Sequence, residues 1–280
     1  MKINLIKLLF GLAFLLSVAS CKSEFEKIRV SNDAALILEK ANVYFDQKDY
    51  QKAQTLYELL IPTYRGKKEL EQIYYRYAYT YYHLGSYISA GVYFDNFAST
   101  FPTSSLREEI DFMSAYSNYQ LSPTFRLDQQ YTLTAIDKLQ LYVNTYPSSE
   151  RLKEANQLMD ELRSKLEEKA LEEGKLYYDV RQYQSSIQSL ENVMKDFPDT
   201  KNAELIRYQI VMAAYDLAQN SIIEKQKERY EQVLAKSTIF LAKYPKSGYY
   251  NEVNAINKRA EQQLKLIQKD DRYQVQSSNY

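Results

Sequence analysis

The sequence predicts an all-α protein built as a solenoid of repeated helix pairs, on three observations. A four-residue phrase, aromatic-Pro-x-Ser/Thr, begins at Phe101, Tyr146, Phe197 and Tyr244, at intervals of 45, 51 and 47 residues. From about Asp33 onward, apolar residues recur three and four positions apart, which is the period of an amphipathic helix. Glycine occurs only 6 times, tryptophan is absent and tyrosine occurs 28 times, which favours packed helices over a glycine-rich β architecture.

Each phrase is interpreted as a helix boundary. The aromatic residue ends a buried helix face, proline blocks continuation of that helix, and Ser or Thr can cap the next one. Because four of the six prolines are used in this way, the chain is built from one repeated unit. Such repetition favours a solenoid that binds partners over a single catalytic pocket.

The N-terminus has the pattern of a secretory signal. Lys2 and Lys7 precede an apolar run over residues 8–16, which is too short to span a bilayer. Val18-Ala19-Ser20-Cys21 resembles the lipobox of bacterial lipoproteins, in which the cysteine becomes the first mature residue and carries the acyl chains. We therefore expect a signal peptide over residues 1–20, lipidation at Cys21, the only cysteine in the chain, and a lipidated tether over 21–32.

The charge of the mature chain argues against binding to nucleic acid or to acidic lipid. Cleavage before Cys21 leaves 34 basic against 36 acidic side chains, a formal charge of about −2. This balance provides no electrostatic basis for binding nucleic acid or acidic lipid.

The repeats share an order of small and large residues. Small residues stand 12 positions apart, a bulky residue follows at +16, and proline follows at +24 where the phrase is present. The matching sets are Ala78, Ala90, Phe94 and Pro102; Gly174, Ser186, Leu190 and Pro198; and Ala41, Ala53 and Tyr57. Antiparallel helices need small residues where their backbones cross and a bulky one to fill the adjacent hole.

This order resembles the tetratricopeptide repeat, a 34-residue helix-turn-helix unit. The resemblance implies a right-handed α-solenoid over residues 33–269, followed by a disordered tail over 270–280. We expect about five repeats and a C-terminal capping helix, near residues 34–67, 71–104, 108–149, 167–200, 204–247 and 248–269.

Three departures from a 34-residue period are predicted. The third repeat carries an insertion around Ser122-Pro123-Thr124, and the turn of the fifth is lengthened around residues 220–229. Between the third and fourth repeats, apolar residues continue at helical spacing and predict one long helix over about 150–178. The first repeat lacks the phrase near Tyr64, and the sequence offers no reason for it.

The residue inventory argues against an enzyme. The chain has one histidine, no second cysteine, no glycine-rich phosphate loop and no cluster with metal-ligand spacing, so no catalytic residue, cofactor or metal is expected. His83 is placed near a helix end, where a polar ring is readily satisfied, and it is retained only as a groove candidate.

Two aromatic stripes are the candidate binding site. Tyr75, Tyr79 and Tyr82 stand at i, i+4 and i+7 in the second repeat, and Phe112, Tyr116 and Tyr119 repeat this spacing in the third. In the tetratricopeptide register they would face the groove and stack on a bound peptide. The alternative is that these rings fill the helix-helix core, as Tyr74, Tyr77 and Tyr81 would on other faces of the same helix.

The lipobox, about five tetratricopeptide repeats and the proline phrase that closes them together resemble the BamD (YfiO) family of outer-membrane assembly lipoproteins. The resemblance covers residues 33–268. It implies a non-enzymatic scaffold of the β-barrel assembly machine, anchored by lipid on the periplasmic face of the outer membrane. Its implied partners are the barrel-forming BamA-type subunit, other components of the machine and unfolded outer-membrane proteins.

Two other functions remain open at this stage. The same fold serves many partners, so the chain could instead coordinate envelope division or peptidoglycan machinery. A nutrient-binding lipoprotein for glycans is a third reading, against which the absence of tryptophan weighs. The sequence does not separate periplasmic from cell-surface exposure.

Overall fold

The computed structural model describes residues 24–269, which form helices joined by turns and loops. The predicted signal peptide, Cys21 and the predicted tail over 270–280 lie outside the described residues. The described helices are α1 Glu24–Arg29, α2 Ala34–Asp46, α3 Tyr50–Thr63, α4 Glu69–His83, α5 Tyr87–Thr100, α6 Arg107–Leu121, α7 Gln130–Thr145, α8 Leu152–Asp179, α9 Tyr183–Asp196, α10 Ala203–Gln219, α11 Ile223–Lys243 and α12 Tyr250–Lys269.

The described chain forms two compact units. The first comprises residues 24–123 and 130–159, and in it each helix from α1 to α7 packs against the next along the chain. The second comprises 124–129 and 160–269, in which α9 to α12 pack in the same sequential way and α12 also contacts α10. Sequential helix pairs with short turns are the tetratricopeptide arrangement that the sequence predicts.

The small residues lie where the helices of a pair meet, as the repeat order predicts. Ala41, Ala53, Ala78 and Ala90 are fully buried. In the fourth repeat the Ser186 hydroxyl donates to the Gly174 carbonyl at 2.8 Å, so the two small positions touch directly. A Cβ atom added to Gly174 would lie 2.6 Å from Leu190 Cδ2, which explains why glycine occupies this position.

The four aromatic-proline phrases end four helices in one way. Each aromatic residue follows the last helical residue and donates its backbone N–H to the carbonyl four positions back, at 2.8–2.9 Å. Its own carbonyl accepts from the Ser or Thr three positions on, at 3.0–3.1 Å, so the phrase is a β-turn with proline at its second position. The four aromatic residues are Phe101, Tyr146, Phe197 and Tyr244.

The prediction that the Ser or Thr of the phrase caps the next helix was wrong at α6 and α10. The hydroxyl of this residue accepts from the backbone N–H two residues on, at 3.0–3.1 Å, in all four phrases. However, the residues that cap α6 and α10 are Leu106 and Asn202, which follow Ser104 and Thr200, and neither makes a side-chain cap bond. The hydroxyl therefore closes the turn that precedes the helix, because each helix begins three residues after the Ser or Thr.

The end of the first repeat explains the missing phrase. Pro62 lies inside α3, and Tyr64 stands at its C-cap, with its N–H donating to the Leu60 carbonyl at 2.9 Å. The Tyr64 carbonyl then accepts from Lys67 at 2.9 Å, and Gly66 between them has a φ of +81°. A turn with positive φ at its third position favours glycine, so glycine replaces proline as the residue that makes this turn.

Four further predictions have different outcomes. A loop over residues 122–129 separates α6 from α7, which confirms the insertion in the third repeat, and α8 over Leu152–Asp179 confirms the long helix. The lengthened turn in the fifth repeat was wrong, because α10 and α11 are separated only by residues 220–222 and the extra residues extend α11. The predicted tether over 21–32 contains α1, because Phe25 and the buried Ile28 stand three positions apart and pack on the first unit's core.

The last helix has the apolar face that the sequence predicts. Val253, Ile256, Ala260 and Ile267 of α12 are buried, and Leu264 packs beside them. They contact the core of the second unit, which also contains Leu190, Ile206 and Phe240. Burial of such a face removes the exposed apolar edge that the final repeat would otherwise present to water.

Candidate peptide-binding face

The stripe on α4 is joined to α6 through one carboxylate. Tyr75 and Tyr79 are partly buried, their ring centroids are 4.8 Å apart, and both hydroxyls donate to Glu109 Oε1, at 3.1 Å and 2.5 Å respectively. Glu109 lies in the first turn of α6, where the helix macrodipole favours a negative charge. These bonds fix α4 and α6, the first helices of the second and third repeats, side by side.

The two tyrosines are neutral hydrogen-bond donors. Burial, followed by the hydrogen bond to Glu109, raises the pKa of Tyr79 far above its ordinary value of 10.0. Burial also raises the pKa of Tyr75, with the Glu109 charge as the next cause. Because both hydroxyl hydrogens are used on Glu109, these residues can offer a ligand only ring surface and oxygen lone pairs.

The stripe on α6 is a stack of three rings. The Phe112 and Tyr116 centroids are 5.8 Å apart with an interplanar angle of 14°, and those of Tyr116 and Tyr119 are 5.5 Å apart at 12°. Tyr116 and Tyr119 are partly exposed. The i, i+4, i+7 spacing therefore produces a continuous aromatic ladder along this helix.

Phe112 differs from the other predicted groove residues, because its ring is only 2% exposed. The Arg151 guanidinium lies over the ring at 4.7 Å from its centroid, and Tyr142 of α7 packs against it at 5.4 Å. In this arrangement Phe112 supports Tyr116 from within the core and is not open to a ligand.

The two stripes meet at Tyr82 and Tyr116. Their ring centroids are 6.3 Å apart, and Tyr87 at the start of α5 packs on Tyr82 at 5.5 Å. Both Tyr82 and Tyr116 are partly exposed, and neither hydroxyl makes a hydrogen bond within residues 24–269. This junction is therefore the part of the face with donors left for a ligand.

His83 is the last residue of α4, as the sequence predicts, and it extends the aromatic face toward the first repeat. The imidazole stacks on Tyr50 of α3 at a centroid distance of 4.3 Å and an interplanar angle of 14°, so Tyr50 shields one face of the ring from water. Burial lowers the pKa of His83 below 6.5, and the cationic Lys48 nearby lowers it further. The lowered pKa favours the neutral ring, which acts here as an aromatic surface.

Sequence reasoning missed the residues that tie the first repeat to this face. Arg76 of α4 donates to Asp46 Oδ1 of α2 at 3.0 Å, and its guanidinium lies over the Phe45 ring at 5.0 Å. Tyr50 had one signal, since Tyr50, Tyr87 and Tyr183 each stand three residues before the second small position of a repeat. No sequence signal pointed to Glu109 or Arg76, because their partners lie in other repeats.

The face on α4 and α6 is aromatic in character. Between residues 24 and 269 no three His, Cys, Asp or Glu side chains are grouped so that they could hold a metal ion. None of the helices from α1 to α12 is long and apolar enough to cross a membrane. What the face offers is partly exposed aromatic rings with a few hydroxyls, which suits contact with a polypeptide.

The chain has low similarity to solved structures. One is the complex of the TPR2AB domain of yeast Sti1 with pHSP90, at 11% identity and a TM-score of 0.39, covering 81% of this chain and 98% of that chain. Another is a kinesin light chain from Podospora anserina with nearly identical TPR-like repeats, at 17% identity and a TM-score of 0.32, covering 75% and 95%. No curated protein matches the chain.

A family model provides the assignment. The model described as YfiO, outer membrane lipoprotein, matches residues 31–215, which is well over half of the 280-residue chain. The matched segment contains α2 to α9 and most of α10, and with them both aromatic stripes. The chain therefore belongs to the YfiO family of outer membrane lipoproteins.

Proposed function

We propose that this protein is a non-enzymatic scaffold of the β-barrel assembly machine, held on the periplasmic face of the outer membrane by acyl chains on Cys21. It binds the barrel-forming subunit and other components of the machine, and it captures unfolded outer-membrane polypeptides. Membership of the YfiO family supports this role. The observation that carries it is the aromatic face on α4 and α6, which lies inside the matched residues.

Ring surface and free hydroxyls give this face its chemistry. Tyr79, Tyr82, Tyr116 and Tyr119 offer ring surface to apolar side chains of an extended or helical segment. The hydroxyls of Tyr82 and Tyr116 can donate to backbone carbonyls of that segment. Glu109 holds Tyr75 and Tyr79 in place beforehand, so binding costs less side-chain entropy there.

Photo-crosslinking in cells tests the capture role. A photoreactive phenylalanine at position 116 is expected to form adducts with unfolded outer-membrane proteins. A control is position 131, an exposed tyrosine on α7 of the same unit. Adducts from position 131 alone, or none from position 116, would contradict the role of this face.

Purification and depletion test the scaffold role separately. The lipidated chain is expected to copurify with the barrel-forming subunit, and its depletion is expected to lower outer-membrane β-barrel levels. Unchanged barrel levels would overturn the assignment. Adducts with division proteins, peptidoglycan enzymes or glycans would instead indicate one of the alternative functions.

A further inference from the structure

The second unit contains a cavity that is separate from the aromatic face. It lies among α8, α9 and α10 and has a volume of about 220 Å³. Leu190 and Met212 give it apolar surface, and Tyr178 and Tyr208 add aromatic surface. Pockets for cofactors and drug-sized ligands are usually larger, about 300–1,000 Å³, so this one suits a single large side chain.

Bonds to carboxylates hold both tyrosines of the cavity. The Tyr178 hydroxyl donates to Asp216 Oδ2 at 2.5 Å, and the Tyr208 hydroxyl donates to Glu252 Oε2 at 2.8 Å. Tyr208 also stacks on Tyr249 at 4.1 Å. The rings are therefore fixed by their surroundings, and two negative charges lie at their hydroxyl ends.

Two hydrogen-bond acceptors at the cavity lack donors. Gln209 Oε1 is buried and has no hydrogen-bond partner in the described part of the chain. Asp179 is exposed, stands at the C-terminal end of α8, and makes neither a hydrogen bond nor an ion pair within residues 24–269. A carboxylate at a helix C-terminus is unfavourably placed, so Asp179 favours a ligand that donates to it.

The charges around the cavity favour a cation. Lys175 is the one lysine or arginine that lines it, and its Nζ is already paired with Glu172 at 2.6 Å. Asp179, Asp216 and Glu252 remain as negative groups at or beside the cavity. An apolar interior with aromatic surface and uncompensated negative charge is suited to a cation on an apolar stem.

We propose that this cavity binds the arginine side chain of a partner polypeptide. The guanidinium is planar, stacks on aromatic rings and has five N–H donors, so it can pair with the Asp179 carboxylate while its plane lies against a tyrosine ring. Its methylene stem packs on Leu190 and Met212. A lysine ammonium is more strongly hydrated and does not stack, so it is the poorer ligand.

Site-resolved titration of the full mature chain tests this assignment. The methionine methyl groups are labelled with ¹³C, so that Met212 reports on the cavity while Met113, in the first unit, serves as the internal control. The probe is N-acetyl-arginine amide, compared with the blocked amides of lysine and norleucine. We expect the arginine probe to shift Met212 alone, with a dissociation constant at least about fivefold lower than those of the other two.

Variants separate charge from shape. Asp179→Asn should weaken the arginine probe about fivefold, whereas the matched control Asp199→Asn, an exposed carboxylate outside the cavity, should leave it unchanged. Tyr208→Phe keeps the ring and should retain binding, whereas Tyr208→Leu should lose most of it. An unmoved Met212 resonance, equal binding of the norleucine probe, or no effect of Asp179→Asn would overturn the proposal.

Free arginine distinguishes a side chain from a small molecule. If the ligand is part of a polypeptide, free arginine should bind no more tightly than its blocked amide. Tighter binding of free arginine would overturn the partner assignment in favour of a metabolite. The test does not involve the aromatic face or barrel assembly, so its failure would leave the proposed scaffold function standing.

Discussion

The Ser104 hydroxyl donates a 2.5 Å hydrogen bond to Glu71 Oε1, and so ties the end of the second repeat to its first helix 33 residues earlier. Thr200 donates to Glu167 Oε1 at the same distance and the same separation in the fourth repeat. Each hydroxyl also accepts from the backbone two residues on. In these two repeats, the phrase that ends the repeat is therefore also hydrogen-bonded to the first helix of the same repeat.

Removal of these hydroxyls should destabilise the unit to which each belongs. We expect Ser104→Ala and Thr200→Ala each to lower the free energy of unfolding by about 1–2 kcal/mol, since each deletes one turn bond and one bond to a carboxylate. Urea unfolding followed by circular dichroism measures the loss. The exposed neighbour Ser105 supplies the control, and a Ser105→Ala loss as large as that of Ser104→Ala would contradict this account.

Gly174→Ala should be destabilising although alanine is the better helix former. The new Cβ would lie 2.6 Å and 2.8 Å from Leu190 Cδ2 and Cγ, and Leu190 is only 1% exposed. Overpacking of this kind costs about 1–3 kcal/mol, which exceeds a gain of about 1 kcal/mol in helix propensity over most of that range. Thermal unfolding measures the balance.

Gly248 provides the comparison for that substitution, because a Cβ there meets nothing within 4 Å. Gly248→Ala should change the melting temperature little. Shortening the buried neighbour in the double variant Gly174→Ala, Leu190→Val should recover part of the loss. A double variant that is less stable than the sum of its single changes would rule out overpacking as the cause.

Alkaline pH should unfold the first unit through Tyr57. Burial raises the pKa of this phenol from 10.0 to about 12, and its hydroxyl donates to Asn42 Oδ1 at 2.8 Å. Between those two values the unfolded chain has released the proton and the folded chain has kept it, so stability falls as pH rises from about 10 toward 12. Melting temperatures across this range, with phenolate absorbance at 295 nm, measure the effect.

The matching variant for this pH effect is Tyr57→Phe. It should lose about 1 kcal/mol at pH 7 with the bond to Asn42, and should show a shallower decline above pH 10. An equally steep decline would indicate that other buried phenols dominate. Tyr77 is one such group in the same unit, since it is buried and its burial raises its pKa as well.

His83 should titrate below 6.5 in the folded protein. Burial lowers its pKa and the Lys48 charge lowers it further, so the folded chain resists protonation and loses stability as pH falls below 6.5. The chain has one histidine, so a single imidazole resonance gives the pKa by NMR. Lys48→Asn should raise that pKa, and asparagine tolerates the φ of 63° at this position. An unchanged or lower value would contradict the role of Lys48.

Much of the fold could be predicted because proline and small residues have structural effects that depend only on their near neighbours in sequence. The phrases at Phe101 and Tyr146 end helices for reasons contained in four residues, and the small positions in Gly174 and Ser186 recur at a fixed interval. The extension of α11 was misread because residues 223–229 are polar and look like a loop, although Glu, Lys, Gln and Arg are good helix formers. The turn at Gly66 was missed because it depends on a glycine with positive φ, which does not match the aromatic-proline phrase that marks the other repeat ends.

The candidate site was predictable only in part. The stripes followed from the i, i+4, i+7 spacing within a single helix. Which rings stay exposed depends on residues far along the chain: Arg151 covers Phe112 although 39 positions separate them in sequence. Likewise, Glu109 accepts hydrogen bonds from the hydroxyls of Tyr75 and Tyr79, although it lies in the next repeat. No local sequence pattern identifies such a partner.

The hydrogen bonds that fasten Ser104 to Glu71 and Thr200 to Glu167 also bear on how the chain folds. Each closes a loop of only 33 residues, and consecutive helices supply most of the packing around it. Chains dominated by such local contacts fold fast, because little loop entropy is lost before each contact forms. When the chain folds from its N-terminus, the second repeat can therefore be completed once Ser104 is in place, and each finished repeat then presents an ordered edge on which the next one packs.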